Sequence, residues 1–242
     1  MIGVSTFDKY IKMSWQMVLM DVVLGYVGII MVAGTPELMG TGALIFLILP
    51  VAAIIDTARK VFFKSLYGSD AVTYQSLPVS SEEMVLAKVS VVTGVSLLMI
   101  AALLAAVMFT ALYMSRETFP DFVAMLTGQE YLNEFHIPYI AAAEIAGAVT
   151  GHFRMWTVIF AAVVWYNSRP DGQKNALMKL VAGAGALLLE CAIGLPTLAL
   201  TRMSGEDYWL PARAMAIVIN IIAAVVLYKY TVRRLSSHYE LS

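Results

Sequence analysis

Apolar residues in this chain are gathered into six runs, each long enough to cross a lipid bilayer as a helix. A transmembrane helix needs roughly 20 mainly apolar residues, and polar segments with charges and turn-forming residues separate the runs. The pattern predicts an all-α, polytopic membrane protein with six transmembrane helices. We place these helices at residues 13–33, 38–57, 89–114, 138–166, 180–201 and 211–230.

No strict repeat, low-complexity tract or second domain interrupts this pattern, so residues 1–242 are predicted to form a single transmembrane domain. Outside the helices lie an interfacial N-terminal stretch at 1–12, a loop at 60–88, an external loop at 115–137 and a tail at 231–242. The external loop carries Phe119, Phe122, Val123 and Leu126 at helical spacing. This spacing predicts either a short helix on the membrane surface or a plain packed loop.

Composition supports the membrane class and limits the chemistry. The chain is 60% hydrophobic and 14% charged, whereas a soluble domain is about half apolar and about a quarter charged. The net charge of -1 gives no indication of a nucleic-acid partner. Cys191 is the sole cysteine, which excludes an intrachain disulfide and a cysteine-based metal cluster.

Basic residues are concentrated on one side of the predicted helices. The richer side carries Lys9, Lys12, Arg59, Lys60, Lys64, Lys88, Arg169, Lys174, Lys179, Lys229, Arg233 and Arg234. The other side carries Arg116, Arg202 and Arg213. Because cytoplasmic loops carry the excess of Lys and Arg, both termini and the 60–88 loop are predicted to be cytoplasmic. We expect a multi-pass protein of the cytoplasmic membrane of a bacterium.

The 60–88 loop has fixed corners rather than the composition of a disordered linker. Gly68 and Asp70 tolerate turn geometry, and Pro78 ends the short stretch that follows them. Ser80 and Glu83 have the S-x-x-E spacing of a capping box, in which each side chain satisfies the other residue's exposed amide. The third transmembrane helix is therefore predicted to begin with a stable cap.

A loop with this shape is suited to docking on another protein. Tyr74 and Leu77 are candidate apolar anchors, and Glu82, Glu83 and Lys88 offer charges around them. The alternative is a connector that lies under the bilayer without a partner, and the residues alone leave both open.

The stretch "YGSDAVTYQSLPVSSEEMVLAKV" resembles the segment between the second and third spans of type-2 ATP-binding-cassette (ABC) exporter permeases. The resemblance extends to the six-span plan, the cytoplasmic termini, the basic stretch at residues 7–15 and the overall length. It implies that residues 67–77 form a short cytoplasmic coupling helix that docks in a groove of an ATPase subunit. The implied coupling residues are Tyr67, Gly68, Asp70, Tyr74, Leu77, Pro78, Ser80 and Glu83. The family often has a basic residue after the serine, where this chain has Ser81, Glu82 and Glu83.

The resemblance also implies partners and a function. No G-x-x-x-x-G-K-[ST] phosphate loop occurs, so the chain is not expected to be an enzyme or to bind a cofactor, and ATP and Mg would belong to the partner ATPase. A second permease chain, identical or paralogous, and membrane lipid are the other expected partners. The expected function is export of an amphipathic or apolar cargo, such as a lipid, peptide or drug.

Two other functions stay open. A proton-coupled secondary carrier would use Asp21, Glu144 and Glu190 as a proton relay. A non-transporting membrane protein, such as an immunity or sensor subunit, would bind its partner without moving cargo.

Polar residues at membrane depth are costly and call for partners. The candidates are Asp21, Glu144, Arg154, Glu190 and Asn220. Arg154 and Glu190 lie at similar depth on consecutive antiparallel helices, which predicts a contact between them, either as a structural clasp or as the polar lining of a substrate cavity. Asp21 and Asn220 also share a depth, which predicts a hydrogen bond between the first and sixth helices.

Small residues at helical spacing predict close helix contacts. One row is Gly183, Ala186, Glu190 and Gly194 on the fifth helix, and another is Ala143, Gly147 and Gly151 on the fourth.

Further residues suggest local features of the same helices. Pro196, followed by the polar turn at residues 204–207, predicts a break near the outer surface. His152 is either a relay partner of Glu144 or a satisfied interface histidine, and the dispersed histidines predict no metal site.

Overall fold

The computed structural model describes residues 6–34, 42–68, 80–114, 137–203 and 209–239. Across these ranges the chain is helical, without a β-strand, as the apolar pattern predicts. The long helices are α1 (Thr6–Gly34), α2 (Gly42–Ala58), α3 (Ser81–Met114), α4 (Ile137–Asn167), α5 (Ala176–Met203) and α6 (Trp209–Tyr239). A π-helical segment, Arg59–Lys64, and the helical residues Ser65–Tyr67 continue α2, and a 3-10 turn at Asp171–Gln173 precedes α5.

Five of the described helices are long and apolar enough to cross a membrane. Their candidate spans are Asp8–Met31, Ser81–Ala106, Tyr139–Asn167, Ala176–Thr201 and Trp209–Ser237. Helix α2, which corresponds to the second predicted span, has 17 residues within the described range. The protein is thus a candidate multi-pass membrane protein, and the sixth crossing stays a prediction.

The best-packed part of the bundle lies at one end, around the segment that follows α2. Helix α1 packs on α2 and α3, α3 packs on α4, and α4 makes its most extensive contact with α6. The largest fully buried side chains include Tyr10, Phe62, Leu66, Phe160 and Leu235. All of these lie at the helix ends that the charge distribution predicts to be cytoplasmic.

Helix α5 presents its apolar side chains outward while it packs on α4 and α6. Leu180, Leu187, Leu188 and Leu195 are each more than 60% exposed. A helix with so much uncovered apolar surface needs lipid or another apolar chain around it. This surface is what a membrane-embedded helix at the edge of a bundle requires.

The predicted break at Pro196 is wrong, because α5 runs through it from Ala176 to Met203. Proline removes the amide that would donate to the Ala192 carbonyl oxygen, a loss that membrane helices tolerate. The Thr197 hydroxyl donates to the carbonyl oxygens of Ile193 and Gly194, at 3.2 and 2.9 Å. The polar turn at 204–207 and the external segment around Phe119 and Leu126 lie outside the described residues.

The predicted orientation can be tested with single cysteines in a Cys191→Ala background. Gly128→Cys, in the external loop, is expected to react with a membrane-impermeant maleimide on intact cells. Gly172→Cys is the cytoplasmic control: an added Cβ at Gly172 meets no atom within 4 Å, so the substitution is accommodated. It is expected to react only after permeabilisation. Labelling of Gly172→Cys but not Gly128→Cys on intact cells would reverse the orientation.

Candidate functional site

The capping box at the start of α3 is present as predicted. The Ser80 backbone amide donates to Glu83 Oε2 at 3.1 Å, and the Glu83 amide donates to Ser80 Oγ at 3.2 Å. The Ser80 hydroxyl also donates to Glu83 Oε2, at 3.0 Å. These bonds satisfy amides at the helix start that have no partner within the helix. The 60–88 loop therefore enters α3 through a defined cap, while Asp70, Tyr74, Leu77 and Pro78 lie outside the described residues.

The other end of the loop leaves the bundle at Gly68. The Gly68 amide donates to the Lys64 carbonyl oxygen at 3.2 Å and closes the last helical turn. A Cβ at this position would lie 2.8 Å from the Cα and 2.9 Å from the carbonyl oxygen of Lys64, so glycine is required by the close approach. Tyr67, just before it, packs half-buried against the core.

Residues 59–67, which we call the stem, join α2 to the loop through the π-helical segment. Such segments are rare and often occur at functional sites. Here the segment carries Phe62 into the core, where its ring stacks on Phe160 with centroids 4.6 Å apart and an interplanar angle of 19°. The same ring lies 6.2 Å from that of Trp156. The stem is therefore packed directly against α4.

Lys88 is a buried structural residue, and the expectation that it offers a charge to a docking partner is wrong. Its side chain is fully buried, and Nζ donates to the Val61 carbonyl oxygen at 2.8 Å and to Ser65 Oγ. Nζ also lies 5.5 Å from the centroid of the Tyr10 ring. Lys88 thus ties α3 to the stem. The prediction for Lys88 was based on its position in the sequence, and a lysine at a loop–helix junction usually reaches water.

Asp21 pairs with the stem, so the predicted Asp21–Asn220 bond is wrong. The Lys60 ammonium donates to Asp21 Oδ1 at 2.5 Å, and Thr57 donates to Asp21 Oδ2 at 3.4 Å. A buried carboxylate gains more from a cation than from a neutral amide, which explains the choice of partner. Lys60 also contacts Asp56 at 2.9 Å.

The protonation of Lys60 supports a permanent link between the stem and α1. Partial burial by itself lowers the pKa of Lys60, but the hydrogen bonds and charges of Asp21 and Asp56 outweigh this and raise the pKa above its ordinary value. The amine therefore keeps its charge throughout the physiological pH range.

Arg154 and Glu190 are in contact, as their depths predict. Arg154 Nη2 donates to Glu190 Oε1, and Arg154 Nη1 donates to Asn220 Oδ1 at 2.7 Å. The Arg154 side chain is 6% exposed and that of Glu190 is 27% exposed. One guanidinium therefore links α4, α5 and α6 at membrane depth, and Asn220 belongs to this cluster rather than to Asp21.

Glu144 pairs with Arg213 of α6, so the proposed Glu144–His152 relay is wrong. His152 Nδ1 donates instead to the Ala148 carbonyl oxygen at 2.9 Å, the local bond of a lone histidine. A Cβ at Gly147 would lie 2.7 Å from the Arg213 guanidinium, so glycine there makes room for the arginine. The small-residue row on α4 thus faces α6.

The small-residue row on α5 forms a close contact at one end and borders a cavity at the other. At Gly194 an added Cβ would lie 3.2 Å from Arg154 Nη2, whereas at Gly183 it would meet nothing within 4 Å. The cavity lies between α4 and α5, has a volume of about 600 Å³, and includes Glu190 in its lining. Glu190 therefore serves in the clasp and in a cavity wall at once, and the predicted close packing at Gly183 is wrong.

The described residues contain no group of three or more His, Cys, Asp or Glu side chains that could hold a metal ion. What they offer is a set of ion pairs that join helices and a loop stem fixed to three of them. Comparison of the chain with protein-family models, curated proteins and solved structures finds no match.

Proposed function

We propose that this chain is the membrane-spanning permease subunit of an ATP-driven ABC exporter, which forms the path for an amphipathic or apolar cargo and couples to a separate ATPase subunit. The observation that carries the proposal is the anchoring of the stem. Lys60 binds Asp21 of α1, Phe62 stacks on Phe160 of α4, and Lys88 of α3 binds the Val61 carbonyl oxygen. A force on the loop would reach three helices together.

The anchoring suits a mechanical link better than a passive connector. Close-packed interiors transmit displacement because they have little free volume to absorb it. The Ser80–Glu83 cap fixes the other end of the loop to α3 in the same way. ATP binding would draw two ATPase subunits together, and the loop would carry that movement into α2 and α3. The path would then open between this chain and a second permease chain.

The paired state of the acidic residues speaks against a proton-coupled carrier. Asp21, Glu144 and Glu190 each form an ion pair with a lysine or arginine of another helical segment, so these side chains join parts of the bundle to one another. Secondary carriers also tend to have broken helices in repeated halves, whereas α5 is continuous through Pro196.

The proposal predicts a specific partner when the tagged chain is purified from its native membrane in mild detergent. We expect an ATPase with a phosphate loop to co-purify in equal amount, and the reconstituted complex to move a fluorescent lipid or amphiphile only with ATP. Substitution of the phosphate-loop lysine of that ATPase is the control and should stop transport without releasing the subunit. A stable chain that binds only a partner without nucleotide activity would instead identify a sensor or immunity subunit.

A further inference from the structure

The cavity between α4 and α5 has the size and lining of a binding site for an apolar molecule. Its volume of about 600 Å³ lies within the range of ligand sites. Met155, Val158 and Ile159 of α4 form one wall, and Gly183, Ala186 and Leu187 of α5 form the other. The space stays open because Gly183 and Ala186 of α5 have side chains too small to fill it.

The long axis of the cavity matches the depth of one membrane leaflet. Lys179 lies at one end and Glu190 at the other, and both are among the lining residues. They are separated by 11 residues of α5, or about 16 Å at 1.5 Å per residue. This is about half of the 30 Å hydrocarbon core of a bilayer. A single acyl chain that enters from one membrane surface would end near Glu190.

The two ends differ in charge. At the inner end Glu190 is paired with Arg154, so that end carries no net charge for a ligand. At the opposite end, on the side predicted to be cytoplasmic, Lys179 is exposed and its Nζ lies 5.9 Å from the Tyr166 ring centroid. In the connection between α4 and α5, the Arg169 guanidinium lies 4.0 Å from the ring centroid of Trp165, which lines the neighbouring smaller cavity. Basic residues beside Trp and Tyr are typical of the level of lipid headgroups, where they attract anionic lipids.

We propose that this cavity binds one acyl chain of an anionic glycerophospholipid from the cytoplasmic leaflet, with the phosphate at Lys179 and the chain running past Gly183 towards the Arg154–Glu190 pair. The charges at the two ends indicate the kind of ligand. Lys179 makes one end cationic and the Arg154–Glu190 pair leaves the other without net charge, so the ligand is expected to carry a negative charge at one end only. The site does not depend on the exporter proposal, because a resident lipid can occupy it whether or not the chain moves cargo.

The test uses the full chain, delipidated in detergent and supplied with equal amounts of phosphatidylglycerol and phosphatidylcholine, with bound lipid counted by native mass spectrometry. We expect one retained phosphatidylglycerol and a preference of about fivefold over phosphatidylcholine, the effect of one lysine at the headgroup level. Lys179→Gln should abolish the preference, whereas Lys174→Gln, in the connection before α5, should keep it.

A second pair of variants tests the cavity itself. Gly183→Phe places a ring in the space and is expected to reduce retained lipid by about tenfold. Gly185→Phe is the matched control. A Cβ added at Gly185 also meets nothing within 4 Å, but Gly185 lines a different, smaller cavity of about 270 Å³. Variants are compared at equal elution profile and thermal midpoint, and the surface substitution Lys179→Gln keeps the test valid if a phenylalanine variant misfolds. Equal retention by Gly183→Phe and wild type, equal loss in both glycine variants, or an unchanged preference in Lys179→Gln would overturn the proposal.

Discussion

Replacing Arg154 with alanine is expected to lower the free energy of unfolding by about 3–5 kcal/mol, the cost of leaving one member of a buried ion pair without its partner. The carboxylate of Glu190 would lose its contact with the guanidinium, and Asn220 would lose the hydrogen bond that joins α6 to the cluster. The cluster joins α4, α5 and α6, so its loss should weaken the packing of all three helices. The yield of monodisperse protein and the unfolding free energy in mixed micelles measure this effect.

The double variant Arg154→Ala/Glu190→Ala separates the ion pair from the loss of side-chain volume. It removes both charges, so we expect it to be more stable than Arg154→Ala alone. The matched control is Arg213→Ala, whose partner Glu144 has a side chain that is 51% exposed. That pair is less buried than the Arg154–Glu190 pair, so we expect its loss to cost less. A double variant less stable than the single one would refute the clasp.

The sequence was sufficient to predict contacts that depend on depth along neighbouring helices. Arg154 and Glu190 lie on consecutive antiparallel helices, so counting residues from the helix ends brings them together without knowledge of the packing. The cap formed by Ser80 and Glu83 was predictable because its geometry is local. The all-α fold followed from the length of the apolar runs.

Depth along a helix does not define the direction in which a side chain points. Asp21 and Asn220 share a depth, yet they face different neighbours: Asp21 faces the stem and Asn220 faces α4. Lys60 was missed for a related reason. It lies beyond the predicted end of the second span, and its pairing depends on the π-helical segment, which the apolar pattern does not reveal.

Rows of small residues predicted that helices approach closely, but not what fills the space between them. On α4, Gly147 accommodates the side chain of Arg213. On α5, the equivalent space at Gly183 is a cavity. The difference comes from the facing helix: α6 provides a long arginine at one site, and α4 provides side chains that stop short of α5 at the other. A single helix does not contain this information.

Replacing Tyr74 and Leu77 with aspartate is expected to reduce ATP hydrolysis by the purified complex to the level of the ATPase subunit alone. Loss of an apolar anchor at the centre of a protein interface costs about 2 kcal/mol or more, and a buried, unpaired carboxylate adds to that cost. Hydrolysis is measured at equal protein concentration, and binding is measured by co-elution of the two subunits. Gln75→Asp is the control, because it adds the same charge to the same segment without removing an apolar anchor.

This prediction separates docking from folding because the stem and the cap are held by their own contacts. Lys60 with Asp21, Phe62 with Phe160, and Ser80 with Glu83 all lie outside the substituted segment. The double aspartate variant is therefore expected to keep the yield and thermal midpoint of the wild type while it loses the ATPase. A variant that folds normally and still stimulates hydrolysis would show that the ATPase subunit binds another part of the chain. The anchored stem would then have only a structural role.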